Sequence, residues 1–189
     1  GVINIVRNGP VMVDAWADRL RDGSLLYFGI RWAPDPKKRG EMTARDVPLD
    51  AYEIALSSDE GRSWKATPAL IECPAEFGVI ARPLPHVFED ENGALFMPAY
   101  AWGRHGNHAL LLTSVDRGRR WTVLSSVTTA AAMVKAGAPV TTPWLETTVS
   151  PTKGGDWLAI VRTGSSAKAS LVSVRSADRG KTWSAPEKL

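Results

Sequence analysis

An eight-residue stretch, Ser57-Ser58-Asp59-Glu60-Gly61-Arg62-Ser63-Trp64, recurs twice more in this chain. The second copy runs from Ser114 to Trp121 and the third from Ser176 to Trp183, and all three fit the pattern Ser-x-Asp-x-Gly-x-x-Trp. Their aspartates, at positions 59, 116 and 178, follow one another at intervals of 57 and 62 residues. A short motif that returns at nearly constant spacing indicates a protein built from copies of one supersecondary unit.

Each copy of the motif predicts a tight hairpin turn. The carboxylate of Asp59 is placed to accept hydrogen bonds from backbone N–H groups ahead of it. Gly61 supplies the positive φ that the turn needs, and the Ser57 hydroxyl adds a further local bond. Trp64 offers a large apolar face that covers the hairpin. We therefore expect the motif aspartates to hold turns and to take no part in chemistry.

Strand-like runs surround every motif. Ahead of each copy, two apolar runs are joined by a glycine turn, at Asp22-Gly23, Asn92-Gly93 and Gly154-Gly155. Such pairs between apolar runs are strong short-range signals for a β-hairpin. A third strand leads into the motif and a fourth leaves it. The predicted unit is thus four antiparallel strands in about 60 residues, which is the size of a β-propeller blade.

The predicted fold is therefore an all-β propeller of four-stranded antiparallel blades, with three blades in this chain. We treat residues 1–189 as a single propeller segment, with blades at about residues 10–75, 79–128 and 140–189. The alanine-rich stretch from Thr129 to Ala138 is the only candidate for a helix. Gly137 and Pro139 favour a loop there instead.

Composition and charge narrow the function classes. The 189 residues are 44% hydrophobic and 23% charged, which excludes a disordered, collagenous or coiled-coil chain. A single cysteine, Cys73, excludes an internal disulfide framework and a thiolate metal site. We expect no metal and no cofactor. The net charge is +3 and the basic residues are scattered, so we expect no nucleic-acid partner.

No apolar run reaches the roughly 18 residues of a membrane-spanning helix, so we expect no membrane partner. The sequence opens at Gly1 directly into a strand-like run, from which we expect no signal peptide in these residues. The residues themselves leave the compartment undetermined.

The three motifs resemble the Asp box, or BNR repeat, of sialidases (neuraminidases), and the resemblance extends from about Pro10 to the end of the chain. The third unit is the most similar. It has Glu146 on a first strand, then a glycine turn, Arg162 on the next strand, and the motif from Ser176. The resemblance implies a six-bladed propeller that hydrolyses glycosides of acidic sugars. It also favours a periplasmic or extracellular location, since proteins of this family are commonly exported.

The resemblance further implies roles for particular residues. The family holds the substrate carboxylate with three arginines, for which bidentate guanidinium contacts are suited. It attacks with a tyrosine that a glutamate assists, and an aspartate is the acid/base. Glu146 is at the position of the glutamate. The loop 33–50 is where the aspartate is expected, and it offers Asp46 and Asp50 ahead of Asp35. The expected substrate-binding residues are the arginines Arg31, Arg82 and Arg162 and a sugar-stacking wall of Tyr100 and Trp102.

Some family features are missing. There is no Phe/Tyr-Arg-Ile-Pro segment, and no matching tyrosine follows Trp183. The second motif has Arg120 where serine or threonine is usual, which affects only the stability of that turn. A complete sialidase site is therefore not expected within one chain.

Three blades make half of a six-bladed ring, since six such units need about 360 residues. A half ring exposes two apolar blade faces of a kind that monomers avoid. Either a second copy completes the ring as a homodimer, or the remaining blades belong to a longer chain. The functional alternatives are a sialidase-like glycosidase, a non-catalytic propeller that binds carbohydrate or protein, and a structural fragment without activity.

Overall fold

The structure is a computed structural model. It describes residues 12–32, 52–103, 106–141, 144–164 and 169–189. Fourteen strands in these residues form three sheets, which are joined by one short α-helix and one 3-10 turn at Ala75–Phe77.

The first sheet contains four strands in the order β1-β2-β3-β4, and every neighbouring pair is antiparallel. Its strands are β1 (Met12–Arg19), β2 (Leu25–Trp32), β3 (Tyr52–Ser57) and β4 (Lys65–Pro68). The β1–β2 turn contains Gly23 at φ 85°, as the Asp-Gly pair predicts. The first motif is the turn between β3 and β4.

The second sheet contains six strands in the order β5-β10-β9-β8-β6, with β7 also paired to β8. Its strands are β5 (Leu70–Glu72), β6 (Val79–Pro83), β7 (Phe88–Glu89), β8 (Leu95–Gly103), β9 (Gly106–Ser114) and β10 (Arg120–Thr129). Strand β5 follows the first sheet in the chain but joins the second, through a hydrogen bond from Leu70 N to Arg119 O of 2.8 Å.

The third sheet again contains four antiparallel strands, in the order β11-β12-β13-β14. Its strands are β11 (Thr147–Pro151), β12 (Trp157–Arg162), β13 (Leu171–Ser176) and β14 (Glu187–Lys188). The predicted all-β class with antiparallel pairing is confirmed. The arrangement of the sheets as blades, and the number of blades, stays a prediction.

The chain forms two compact units, and each has its own core. The first unit consists of the described residues up to Ile71 together with Phe88–Leu95 and Ser114–Trp121. There Phe28 is fully buried, stacked on Trp16 at 5.2 Å between ring centroids and edge-on to Trp121 at 6.1 Å. The second unit consists of Glu72–Val87, Phe96–Thr113 and Thr122–Leu189. Its core includes a Phe96–Trp157 ring pair at 4.8 Å.

The three motif turns form as the sequence predicts. In the third, Asp178 Oδ1 accepts from Ser176 Oγ and Thr182 N, both at 2.8 Å, and Gly180 N donates to Ser176 Oγ at 2.7 Å. The first and second turns repeat these bonds around Asp59 and Asp116. The motif glycines have φ between 80° and 85°. The aspartates therefore hold turns, as expected from the residue types of the motif.

One expectation was wrong, because residues 130–135 are a helix rather than a loop. Helix α1 (Ala130–Lys135) is capped at its N-terminus by Thr129, whose Oγ1 accepts a hydrogen bond from Ala132 N at 3.1 Å. The side chain of Met133 is fully buried and anchors the helix. Gly137, at φ 79°, ends the helix rather than preventing it. Among the described residues, no helix combines the length and apolar character needed to cross a bilayer.

Candidate functional site

Two predicted site residues, Glu146 and Arg162, are direct neighbours at the end of the third sheet. The antiparallel register of β11 and β12 places Thr147 opposite Val161, so the next pair outward is Glu146 and Arg162. Their backbones are joined by a hydrogen bond from Arg162 N to Glu146 O of 2.8 Å. Their side chains form an ion pair, with Arg162 Nη2 at 2.9 Å from Glu146 Oε2.

Strand alternation sets the side on which this pair lies. Along β12, Trp157, Ala159 and Val161 are buried, whereas Ile160 and Arg162 are partly exposed on the opposite face. On that face Arg162 has Leu171 as its neighbour on β13, and Ile160 has Thr148 as its neighbour on β11. The apolar side chains of Ile160 and Leu171 thus form a row beside the ion pair on this face of the sheet.

A third predicted residue, Arg82, joins this group from the second sheet. It lies near the end of β6, and the segment after that strand contributes Leu84 and Pro85. Together these side chains surround a cavity of about 410 Å³ in the second unit. The cavity is lined by Arg82, Leu84, Pro85, Glu146, Thr147, Thr148, Ile160, Arg162 and Leu171.

The charge and exposure of the cavity suit an anionic ligand with an apolar part. The side chains of Arg162 and Glu146 are 35% and 39% exposed, so solutes can reach them. Two guanidinium groups and one carboxylate leave an excess of one positive charge. The Nε of Arg162 is buried and has no hydrogen-bond partner among the described residues, although its Nη2 is paired. Because part of the Arg162 side chain is exposed, the accessible end of its guanidinium is suited to holding a second carboxylate.

The structure places Tyr100 and Trp102 away from the cavity lining. Tyr100 is on β8 opposite Arg82, but only 5% of it is exposed. Trp102 is half-buried, and its ring centroid lies 6.3 Å from that of Tyr100. The two aromatic rings pack together and are not part of the cavity lining, so the sugar-stacking wall stays a prediction.

Four further candidate residues have no described side chain. Asp46 and Asp50, together with the weaker candidate Asp35, lie outside the described residues. Arg31 is on β2 opposite Val13, and only its backbone is described. Their roles stay predictions.

Sequence reasoning missed two exposed apolar residues, one next to Arg162 in the sheet and one close to Glu146 in the chain. Leu171 is 46% exposed beside Arg162, and Trp144, two residues before Glu146, is 44% exposed. The signal for Trp144 was its spacing, because residues two apart on an extended segment share a face. Among the residues that the structure describes, no group of three or more His, Cys, Asp or Glu side chains is arranged to hold a metal ion.

The fold and this cavity define an all-β repeat domain whose cavity presents two arginines and a glutamate. The family described as the BNR repeat-like domain matches residues 18–189, and the chain belongs to that family. No curated protein sequence gives a significant match.

Solved structures share the fold at low sequence identity. The Hadza microbial sialidase Hz136 is 17% identical with a TM-score of 0.65, and the match covers 97% of this chain and 35% of that one. The α-L-arabinofuranosidase Arb93A from Fusarium graminearum is 19% identical with a TM-score of 0.60, covering 93% and 47%. The β-1,2-mannobiose phosphorylase from Listeria innocua is 13% identical with a TM-score of 0.55, covering 92% and 57%.

These three proteins are named for the carbohydrates on which they act, and their likeness to this chain is a likeness of fold. The chain spans about a third to somewhat over half of the length of these structures.

Proposed function

We propose that this chain is a sialidase-like glycoside hydrolase domain, or part of one, that acts on glycosides of acidic sugars. The observation that carries the proposal is the convergence of Arg82, Glu146 and Arg162 on one cavity. Glu146 and Arg162 are neighbours across one hairpin, whereas Arg82 comes from another sheet, and all three were expected among the site residues.

The roles follow from the chemistry of the three side chains. Arg82 and Arg162 hold the substrate carboxylate through charge-assisted hydrogen bonds. The ion pair with Arg162 keeps Glu146 in one orientation, in which its carboxylate takes up the proton of the attacking group. The apolar row of Ile160 and Leu171 contacts the less polar part of the sugar.

In this proposal, the remaining catalytic residues come from outside the group that lines the cavity. No tyrosine is among the residues that line the cavity, so the family's nucleophile comes from outside this set. An acid/base aspartate is expected from Asp46 or Asp50. The partner that completes the ring is a second copy of this chain or the remaining blades of a longer one, and a second copy is our preferred partner.

The direct test is hydrolysis of a fluorogenic sialoside by the wild type, Glu146→Gln and Arg162→Ala. Both variants should lose turnover, while Glu187→Gln and Arg175→Ala, which change exposed residues of the same sheet outside the cavity, should retain it. Equal turnover by Glu146→Gln and the wild type would refute the catalytic role of Glu146.

A second candidate function is non-catalytic binding of carbohydrate. It is favoured by the cavity lining, which provides anion-binding arginines but no tyrosine nucleophile. Saturable binding of an acidic sugar without turnover of any acidic glycoside would distinguish it from the enzyme.

A further inference from the structure

The tryptophan of the third motif is hydrogen-bonded differently from the other two. In the first and second motifs, the indole N–H donates to the carbonyl of the motif glycine three residues earlier in the chain. Trp183 Nε1 donates instead to Ser125 Oγ at 3.0 Å, and that hydroxyl donates to Gly180 O. A hydroxyl from strand β10 thus stands between the third indole and the turn to which it belongs.

The surroundings of the motif glycines show the same difference. In the first two motifs, a Cβ built on the glycine would meet the indole of its own motif at 3.5 Å and 3.4 Å. At Gly180, the nearest atoms belong to Leu111 and Trp157. The register of β10 is irregular just before Ser125, and such irregularities change the direction in which side chains point. The Trp183 indole is therefore held away from its own turn.

This displaced indole belongs to the wall of a second cavity in the second unit. The cavity has a volume of about 630 Å³, which is in the usual range for small-molecule sites. It is formed by β10, helix α1 and the segment that follows the third motif, and it shares no lining residue with the cavity around Glu146 and Arg162. Its lining includes Ser126, Val127, Ala132, Lys135, Trp183 and Pro186.

The chemistry of this lining selects a class of ligand. Lys135, in the last turn of α1, is exposed and is the only charged residue among the described residues that line the cavity. The other lining side chains are apolar or carry hydroxyl groups, and none is a carboxylate or an amide. A neutral sugar, with many hydroxyl donors, therefore finds no carboxylate or amide side chain to accept from it. A flat apolar ring with one negative charge matches the indole and the ammonium group better.

We propose that this cavity is a second ligand site, which binds a small monocarboxylate with a planar apolar ring. The ring stacks on the Trp183 indole, and the carboxylate lies beside the ammonium group of Lys135. Ser125 is a positioning residue, because its hydroxyl holds the indole in the cavity wall. The site goes beyond the proposed glycosidase function and does not depend on it.

The test compares two probes of nearly the same shape, 2-naphthylacetate and its uncharged amide, 2-naphthylacetamide. Calorimetry at low salt measures the binding of both to the full chain and to the variants Lys135→Gln and Trp183→Leu. Lys181→Gln is the matched control, since it removes a positive charge from the third motif at an exposed residue outside the cavity lining. Arg162→Ala is included because the first cavity also contains arginines. Circular dichroism checks that each variant is folded.

The proposal predicts a separate effect for each contact. The wild type should bind the acid about three-fold more tightly than the amide, and Lys135→Gln should remove this difference, as expected for a partly exposed charge pair. Trp183→Leu should weaken both probes about five-fold, because both stack on the indole. Trp183→Phe keeps an aromatic face and should retain most of the affinity. Lys181→Gln and Arg162→Ala should leave both affinities unchanged.

Three results would overturn the inference. The first is that neither probe binds the wild type. The second is that acid and amide bind the wild type equally, or that folded Trp183→Leu and Lys135→Gln proteins bind both probes as the wild type does. The third is that Arg162→Ala removes the binding, since the probe would then occupy the first cavity.

Discussion

Arg162 and Glu146 are joined twice, by a backbone hydrogen bond of 2.8 Å and by a side-chain ion pair of 2.9 Å. The backbone bond belongs to the sheet, so it holds the two Cα atoms in register whatever the side chains do. The ion pair then brings both charged groups together in the lining of the cavity. In the proposed function, this carboxylate transfers a proton to or from a bound ligand.

Glu146→Gln tests that use of the carboxylate. The amide keeps the size and the hydrogen-bonding oxygen but cannot take up a proton. We expect kcat to fall by about 100- to 10,000-fold with little change in KM, as is usual when a general base is removed. Circular dichroism should show an unchanged fold. A variant that retained full kcat on a fluorogenic sialoside would assign the proton transfer to another group.

Alanine substitution at two glycines distinguishes the cost of backbone strain from the cost of a steric clash. Gly155 has φ 93° and open space where a Cβ would lie, whereas Gly180 has φ 80° and would place a Cβ 2.5 Å from Leu111 and 3.0 Å from Trp157. Gly155→Ala should lower the free energy of unfolding by about 1 kcal/mol, because alanine is strained in the left-handed backbone conformation. Gly180→Ala adds overpacking and should cost about 2–4 kcal/mol in total. Urea unfolding measures both, and equal losses would contradict the packing argument.

Substitution of two motif tryptophans gives a second comparison of unfolding free energies. Trp121 is fully buried against Phe28, and its Nε1 donates to Gly118 O at 2.7 Å. Trp64 makes the same bond to Gly61 O at 3.0 Å but is partly exposed. Trp121→Ala should therefore cost about 3–5 kcal/mol of unfolding free energy, and Trp64→Ala clearly less. A larger loss at Trp64 would show that this face is covered in solution.

Acid should destabilise the motif turns in a defined range of pH. The pKa of Asp178 is lowered to about 2, chiefly by hydrogen bonds from the Thr182 hydroxyl and backbone and from Ser176. The pKa of Asp59 is lowered to about 2 by the equivalent bonds from Ser63 and Ser57. A depressed native pKa stabilises the fold above the unfolded value of about 3.9, and this stability is lost as the pH falls towards 2.

Urea midpoints between pH 6 and pH 2 measure this effect. Stability should stay level down to about pH 5 and then decline. Asp178→Asn should be less stable at pH 6 and show a shallower decline. Thr182→Val keeps the carboxylate but removes its largest hydrogen bond, so the pKa of Asp178 is less depressed and the decline should be smaller, with an unchanged onset. An unchanged acid profile in Asp178→Asn would mean that other carboxylates control acid unfolding.

The parts of the fold that the sequence predicted well depend on interactions between near neighbours. Asp178 bonds to Ser176 and Thr182, so the whole turn is encoded within a few residues, three times over. Helix α1 was missed because its stability depends on the Thr129 cap and on the burial of Met133, and the second of these is a tertiary effect.

The site residues also differ in whether near neighbours or tertiary packing determine their placement. The pairing of Glu146 with Arg162 follows from hairpin register, which the glycine turn between them sets. The burial of Tyr100 on a central strand and the exposure of Trp144 depend on packing between distant segments. No local pattern of residues specifies either one.

The measurement that tests the central claim most directly is the affinity of the chain for N-acetylneuraminic acid against its methyl ester, which has nearly the same shape but no charge. If Arg82 and Arg162 hold a carboxylate, the free acid should bind at least about tenfold more tightly, as expected for charge-assisted hydrogen bonds. Arg162→Ala should reduce the affinity for the acid towards that for the ester. Equal affinities for acid and ester, or an Arg162→Ala protein that binds the acid as the wild type does, would contradict the account.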